Sequence, residues 1–122
     1  MKTVMVVDDS RIMRNIVKNT FLALKIPANF IEAEDGKKAM ALLTNNKVDL
    51  ILLDWNMPNL SGIDFLKQLR AADAYRTVPV IMVTSESSKL NVVEAVKAGV
   101  TAYITKPFSD KKFMEKLSSI SF

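Results

Sequence analysis

Three aspartates stand where apolar runs end. Val4-Met5-Val6-Val7 leads into Asp8-Asp9-Ser10, and Leu50-Ile51-Leu52-Leu53 leads into Asp54-Trp55-Asn56-Met57-Pro58. Two more apolar runs end in Thr84-Ser85-Glu86 and in Lys106-Pro107. Short uninterrupted apolar runs belong to strands covered on both faces, and the residues after such strands lie at the carboxyl edge of a parallel sheet, where open α/β sheets keep their sites. Two carboxylates about 4 Å apart repel by about 4 kcal/mol at a near-surface effective dielectric, so a cluster of them needs a cation or shared protons. Lys106 supplies one positive charge and a metal could supply more. With no Cys and no His in the chain, the donors are oxygens, which suit a hard cation. Mg²⁺ fits a site with a couple of carboxylates, several waters and room for a phosphate oxygen. Such a site suits phosphoryl transfer onto Asp54: the ionised carboxylate needs no general base, and Lys106 and the Thr84 hydroxyl offer the remaining oxygens a charge and a hydrogen bond.

Each residue also has a plainer role. Asp9 or Ser10 could cap a helix, Asp54 and Thr84-Ser85 could be turn residues, and Lys106 could be a snorkelling surface lysine. Taken singly, those roles are the commoner ones. Taken together they require separate residue choices at four strand ends to fall on one edge by chance.

The elements that must position these groups alternate regularly. Thr3 to Val7 reads as a strand, followed by a helix in which Ile12, Met13, Ile16, Val17, Thr20, Phe21 and Leu24 recur at helical spacing and which Pro27 closes. Asn29 to Ala33 is a second strand, and Asp35-Gly36 opens a helix carrying Ala39, Met40, Leu42 and Leu43. Val48 to Leu53 is the third strand, with a helix after Ser61-Gly62 that turns Ile63, Leu66 and Leu69 inward. Val78 to Val83 is the fourth, followed by a helix over Lys89 to Ala98 that Gly99 stops. Ala102 to Thr105 is the fifth, and a last helix from Asp110 places Phe113, Met114, Leu117 and Ile120 inward. Strands alternating with helices imply a doubly wound α/β fold, a five-stranded parallel sheet with helices on both faces.

Composition narrows the function classes. The 122 residues fit one domain, and 49% hydrophobic with 25% charged residues argues against disorder. The absence of His removes imidazole bases and ligands. The first apolar run meets Asp8 too early for a signal peptide and no run approaches membrane-spanning length, so the expected location is cytoplasmic, with no membrane partner. The net charge of +4 is scattered along the chain with few aromatics between the basic residues, which favours a solvated basic surface or an acidic protein partner over nucleic acid.

Val6-Val7-Asp8-Asp9-Ser10, Asp54-Trp55-Asn56-Met57-Pro58 followed by Gly62, Val83-Thr84-Ser85-Glu86, Ala98-Gly99 and Lys106-Pro107-Phe108 together carry a resemblance across essentially the whole chain. The sequence resembles the receiver domain of two-component response regulators, most closely the stand-alone chemotaxis regulators. The resemblance implies a flavodoxin-like strand order of 2-1-3-4-5, which brings Asp8-Asp9 beside Asp54. It further implies that Asp54 is the phosphoacceptor, that Asp9, Asp54 and the backbone carbonyl of Asn56 ligate Mg²⁺ directly with Asp8 assisting through water, and that Lys106, beside a cis bond to Pro107, pairs with phosphoryl oxygens. Thr84 and Tyr103 resemble a switch pair, while Glu86 and Asn56 occupy positions that tune phosphate entry and exit in this family, so self-dephosphorylation is expected to be weak.

The last helix reaches nearly to Phe122, so the expectation is a single receiver domain over residues 1–122 without an output domain: a monomeric switch, not an enzyme. The implied partners are a histidine kinase as phosphodonor, a phosphatase, and the flagellar motor switch, met by a helix 4, strand 5 and helix 5 surface around Lys89, Tyr103, Lys112 and Lys116. Alternatives are a phosphorelay intermediate or phosphate sink that never meets a motor, and a phosphotransferase of the haloacid-dehalogenase type. The latter needs a second Asp two positions after the nucleophile, where this chain has Asn56. A flavodoxin-like nucleotide binder lacks its Gly-rich loop here. Lys25-Ile26-Pro27 stands where many relatives carry a glycine, and the basic balance is unlike an acidic receiver.

Overall fold

Side chains along a strand point alternately to the two faces of a sheet, and in this chain that alternation sorts the apolar residues into two cores. The computed structural model describes residues 1–120 and Phe122. Among them are strands β1 (Thr3–Val7), β2 (Asn29–Ala33), β3 (Leu50–Leu53), β4 (Val80–Thr84) and β5 (Ala102–Thr105). They alternate with helices α1 (Arg11–Ala23), α2 (Gly36–Leu43), α3 (Gly62–Ala71), α4 (Lys89–Ala98) and α5 (Asp110–Ser119). The sheet is wholly parallel in the order β2-β1-β3-β4-β5, as expected. Met5, Val7, Ile51, Leu53, Val80 and Met82 face α2, α3 and α4, whereas Val4, Val6, Leu50, Leu52, Ile81 and Val83 face α1 and α5. On the second side Phe21 packs edge-on against Phe30 and Phe113, at centroid distances of 5.3 and 5.4 Å. No helix among the described residues is long and apolar enough to cross a membrane.

Each helix starts on a side chain that accepts one of its unpaired backbone N–H groups. Ser10, Asp35, Ser61, Ser88 and Ser109 take bonds from Met13, Lys38, Asp64, Asn91 and Lys112 at 2.9 to 3.3 Å. The strand-to-helix turns are therefore defined at the edge where the chemistry-bearing residues lie. Asp35 is buried, and Asn59 donates to its second oxygen at 2.9 Å. The Lys38 backbone N–H and the Asn59 amide hold its carboxyl below the usual aspartate range.

Several boundaries differ from expectation. β3 begins at Leu50, not Val48, because the Asp49 carboxylate accepts the Thr3 N–H at 2.8 Å and ends the regular ladder. β4 begins at Val80 because Pro79 has no N–H to donate; its carbonyl still accepts from Ile51 at 2.9 Å. At its other end β4 runs on through Thr84, paired with Thr105, so Thr84 is a strand residue and fully buried. Met114, expected inward, is 42% exposed, and Ile12 in α1 is 73% exposed. A short 3-10 turn over Asp73–Tyr75 was not foreseen. Lys25, just after α1, adopts the left-handed conformation with φ 58°.

Gly62 is needed for its size. Its N–H donates to the Trp55 carbonyl at 2.8 Å, and a Cβ there would overlap the Asp54 carbonyl oxygen. The start of α3 is thus pressed onto the segment that carries Asp54. Gly62→Ala is expected to lower stability by about 3 kcal/mol in chemical denaturation, the upper end of overpacking costs. Asp35→Ala should cost about 1 kcal/mol as a lost cap. Because the folded pKa of Asp35 is lowered, its contribution is present above its unfolded pKa, about 3.9, and disappears as pH falls through the folded value. The gap between wild type and Asp35→Ala should therefore narrow on acidification, which denaturation at a series of pH values would read.

Candidate functional site

β1 and β3 are neighbours paired from Val4 with Leu50 to Val7 with Leu53, so the residues that follow them emerge side by side. The Asp54 N–H donates to the Val7 carbonyl at 2.9 Å, extending the ladder by one bond. One carboxylate oxygen from each of Asp8, Asp9 and Asp54 lies within 4.8 Å of the others. Asp8 and Asp54 are buried and Asp9 is exposed. Ser10, not Asp9, caps α1, which leaves the Asp9 carboxylate uncommitted to the helix.

Backbone and side-chain bonds fix this arrangement. Asp8 Oδ1 accepts the Ser10 N–H at 2.9 Å, and the Asp8 carbonyl accepts Arg14 Nη1 at 2.6 Å. Arg14 is in turn held by Glu32 at 2.9 Å. Lys106 Nζ reaches across from the end of β5 to Asp8 Oδ2 at 3.0 Å and Asp54 Oδ1 at 3.6 Å. Its backbone N–H donates to the Thr84 carbonyl at 2.8 Å, and its bond to Pro107 is cis. Asp54 Oδ1 also accepts the Trp55 N–H at 2.8 Å.

Burial pushes the Asp54 carboxyl above the usual aspartate range; Lys106 opposes this and Asp8 adds to it, while the Trp55 N–H and the Thr84 hydroxyl favour the ionised form. Three ionised carboxylates against one ammonium leave two negative charges, the charge of one divalent cation. The donor set is oxygen only, two of the three carboxylates are held in place by strand ends, and Asp9 opens to solvent. These residues fit a hard divalent cation that keeps part of its water.

Around the mouth, Asn56 Nδ2 donates to Glu86 Oε1 at 2.9 Å and Asn91 Nδ2 donates to Glu86 Oε2 at 3.0 Å. The half-buried Tyr103 donates its hydroxyl to the Glu86 carbonyl, and the Glu86 N–H donates to Thr84 Oγ1 at 3.3 Å. Thr84 and Tyr103 are therefore linked through one residue. Lys89, Lys112 and Lys116 are not part of the carboxylate cluster. Lys89 opens α4, whose Leu90, Val93 and Val96 are 82%, 48% and 61% exposed, and Lys112 and Lys116 share a hollow with Tyr103 and Phe108. Sequence reasoning missed Arg14 and Asn91. Nothing local marks Arg14, since its carbonyl partner is defined only by the folded loop. Asn91 stands three residues after the cap Ser88, where a capping box would carry Glu or Gln, and that departure was the available signal.

Comparison with known proteins identifies the family of the chain. The response regulator receiver domain profile matches residues 4–118. The chain is 45% identical to a chemotaxis protein CheY homolog of Campylobacter jejuni over 117 residues, covering 95% of this chain and 89% of that protein. It superposes on the Vibrio cholerae chemotaxis response regulator CheY4 with a TM-score of 0.88 and 31% identity, covering 98% of both chains. The Mn²⁺-bound form of response regulator Rcp1 superposes with a TM-score of 0.84 and 26% identity over 100% of this chain and 94% of that one. With its acidic cluster at the ends of the neighbouring strands β1 and β3, the chain belongs to the response regulator receiver domain family.

Proposed function

We propose that the protein is a phosphorylation switch in which Asp54 accepts a phosphoryl group from a histidine kinase with the help of Mg²⁺. The observation that carries this reading is the grouping of Asp8, Asp9 and Asp54 with Lys106 at 3.0 and 3.6 Å from two of them. The Asp54 carboxylate attacks phosphorus as the bond from phosphorus to the ring nitrogen of the kinase's phosphohistidine breaks, giving an acyl phosphate and freeing the kinase imidazole; water later cleaves the acyl phosphate to return the carboxylate and inorganic phosphate. Asp9, Asp54 and the Asn56 carbonyl would hold the metal directly, and bound Mg²⁺ supplies charge neutralisation for the incoming phosphoryl oxygens. Asp8 suits a role through water, because its two oxygens are already engaged by the Ser10 N–H and Lys106. Lys106 would shift from the carboxylates to the new phosphoryl group, and the buried Thr84 hydroxyl, which favours the ionised form of Asp54, would meet another of its oxygens.

Output is binding. Phosphorylation draws on Thr84, and the Thr84–Glu86–Tyr103 connection passes that change to the face of α4, β5 and α5. This face combines exposed Leu90, Val93 and Val96 with Lys89, Lys112 and Lys116, which suits a partner with apolar and acidic groups. Kinship with chemotaxis proteins supports the flagellar motor switch as that partner. A haloacid-dehalogenase-type reaction is disfavoured, since Asn56 replaces the required acid and its amide is bonded to Glu86.

Incubation with acetyl phosphate and Mg²⁺, followed by intact mass, should give one phosphoryl adduct on the wild type. Asp54→Asn or a chelator should abolish it, and an adduct that survives either treatment counts against the assignment. Treated wild type, but not treated Asp54→Asn, should retain motor switch protein on an affinity column. Recovery of a kinase alone would remove the motor reading and favour a phosphate sink.

A further inference from the structure

Glu86 is the most heavily connected residue at the mouth of the site. Both carboxylate oxygens are occupied, Oε1 by the Asn56 amide at 2.9 Å and Oε2 by the Asn91 amide at 3.0 Å. It therefore spans from the segment after β3 to the first turn of α4. No ion pair among the described residues includes it. Two neutral amides thus hold an uncompensated negative charge beside a pocket that is to receive an anion. Like charge placed there slows the approach of a phosphoryl donor, and engagement of the Asn56 amide keeps that side chain from turning toward a phosphoryl oxygen or an attacking water.

The two amides differ in how firmly they are anchored. Asn56 lies exposed in a loop. Asn91 is half-buried in α4, and its backbone N–H is fixed on Ser88 Oγ at 3.1 Å. In a capping box the side chain at this position reaches back to the cap residue's own N–H; here it reaches beyond Ser88 to Glu86 instead. Without it, Glu86 keeps one bond to an exposed loop residue, too little to offset the rotamer freedom of a glutamate side chain.

We infer that Asn91 is a positioning residue, which holds the Glu86 carboxylate across the mouth of the Asp54 site and so slows both gain and loss of the phosphoryl group. The inference rests on the reading of Asp54 as phosphoacceptor. It also joins the exposed α4 face to the site: any partner that shifts the first turn of α4 releases Glu86.

The test follows the Asp54 adduct by intact mass, on addition of acetyl phosphate with Mg²⁺ and after its removal. Asn91→Ala should raise both rates about fivefold, the Boltzmann weight of about one net hydrogen bond. In a Glu86→Ala background, Asn91→Ala should change neither rate further. Asn91→Glu separates positioning from helix stability: it completes a capping box with Ser88, yet sets a carboxylate against Glu86. A purely structural role predicts a wild-type rate of adduct loss for it, whereas positioning predicts a loss at least as fast as that of Asn91→Ala. Unchanged rates in Asn91→Ala, or an equal further change in the Glu86→Ala background, would overturn the inference. If the wild type forms no adduct, the phosphoacceptor reading falls and this inference with it; normal adduct formation with Asn91-independent rates sinks the inference alone.

Discussion

Mutual repulsion among Asp8, Asp9 and Asp54 is the constraint around which the carboxyl edge of the sheet is arranged. Two of the three are buried, and their nearest positive charge comes from Lys106, ninety-eight residues away from Asp8 in sequence. A cluster of this kind costs stability in a protein that uses its carboxylates only for structure. It persists here because the parallel pairing of β1 with β3 leaves the chain no other place for the residues that follow those strands. The cost is offset by the Lys106 ion pairs and by backbone N–H groups from Ser10 and Trp55. What remains is a deficit of positive charge, which a divalent cation would neutralise.

The supports of that cluster are also the routes by which it can act on the rest of the molecule. Gly62 allows α3 to press against the Asp54 carbonyl, so the strand end that carries Asp54 is wedged between β1 and a helix. On the opposite rim, the backbone of Glu86 connects Thr84 to Tyr103 while its side chain connects Asn56 to α4. A displacement of a few tenths of an ångström at Thr84 must be taken up by this loop, because Thr84 is fully buried in close-packed surroundings. The loop is tied to its neighbours through the hydrogen bonds of Glu86, and it adjoins the exposed apolar residues of α4.

Much of this was legible in the chain. The apolar runs specified strands buried on both faces, and the helical spacing of residues such as Phe21, Leu66 and Phe113 specified what lay over them. The stop at Gly99 was likewise visible, and the cap of α1 was narrowed to Asp9 or Ser10. Expectations failed where a non-local partner decided. Asp49 shortens β3 by bonding Thr3, and Met114 is exposed although it sits next to the buried Phe113. In both cases helical or strand periodicity described the segment correctly but carried no information about which neighbours would reach it.

The sequence alone determined the alternation of strand and helix, the absence of imidazole and thiolate chemistry, and the placing of Asp8, Asp9, Asp54, Thr84 and Lys106 at strand ends, because all of these follow from local pattern and residue type. Tertiary structure decided which strand ends are neighbours, how far Lys106 stands from each carboxylate, and that Ser10, not Asp9, serves the helix. It also decided that Asn91 meets Glu86. These depend on strand order and on how loops from distant parts of the chain close against one another, and neither periodicity nor residue type records such distances.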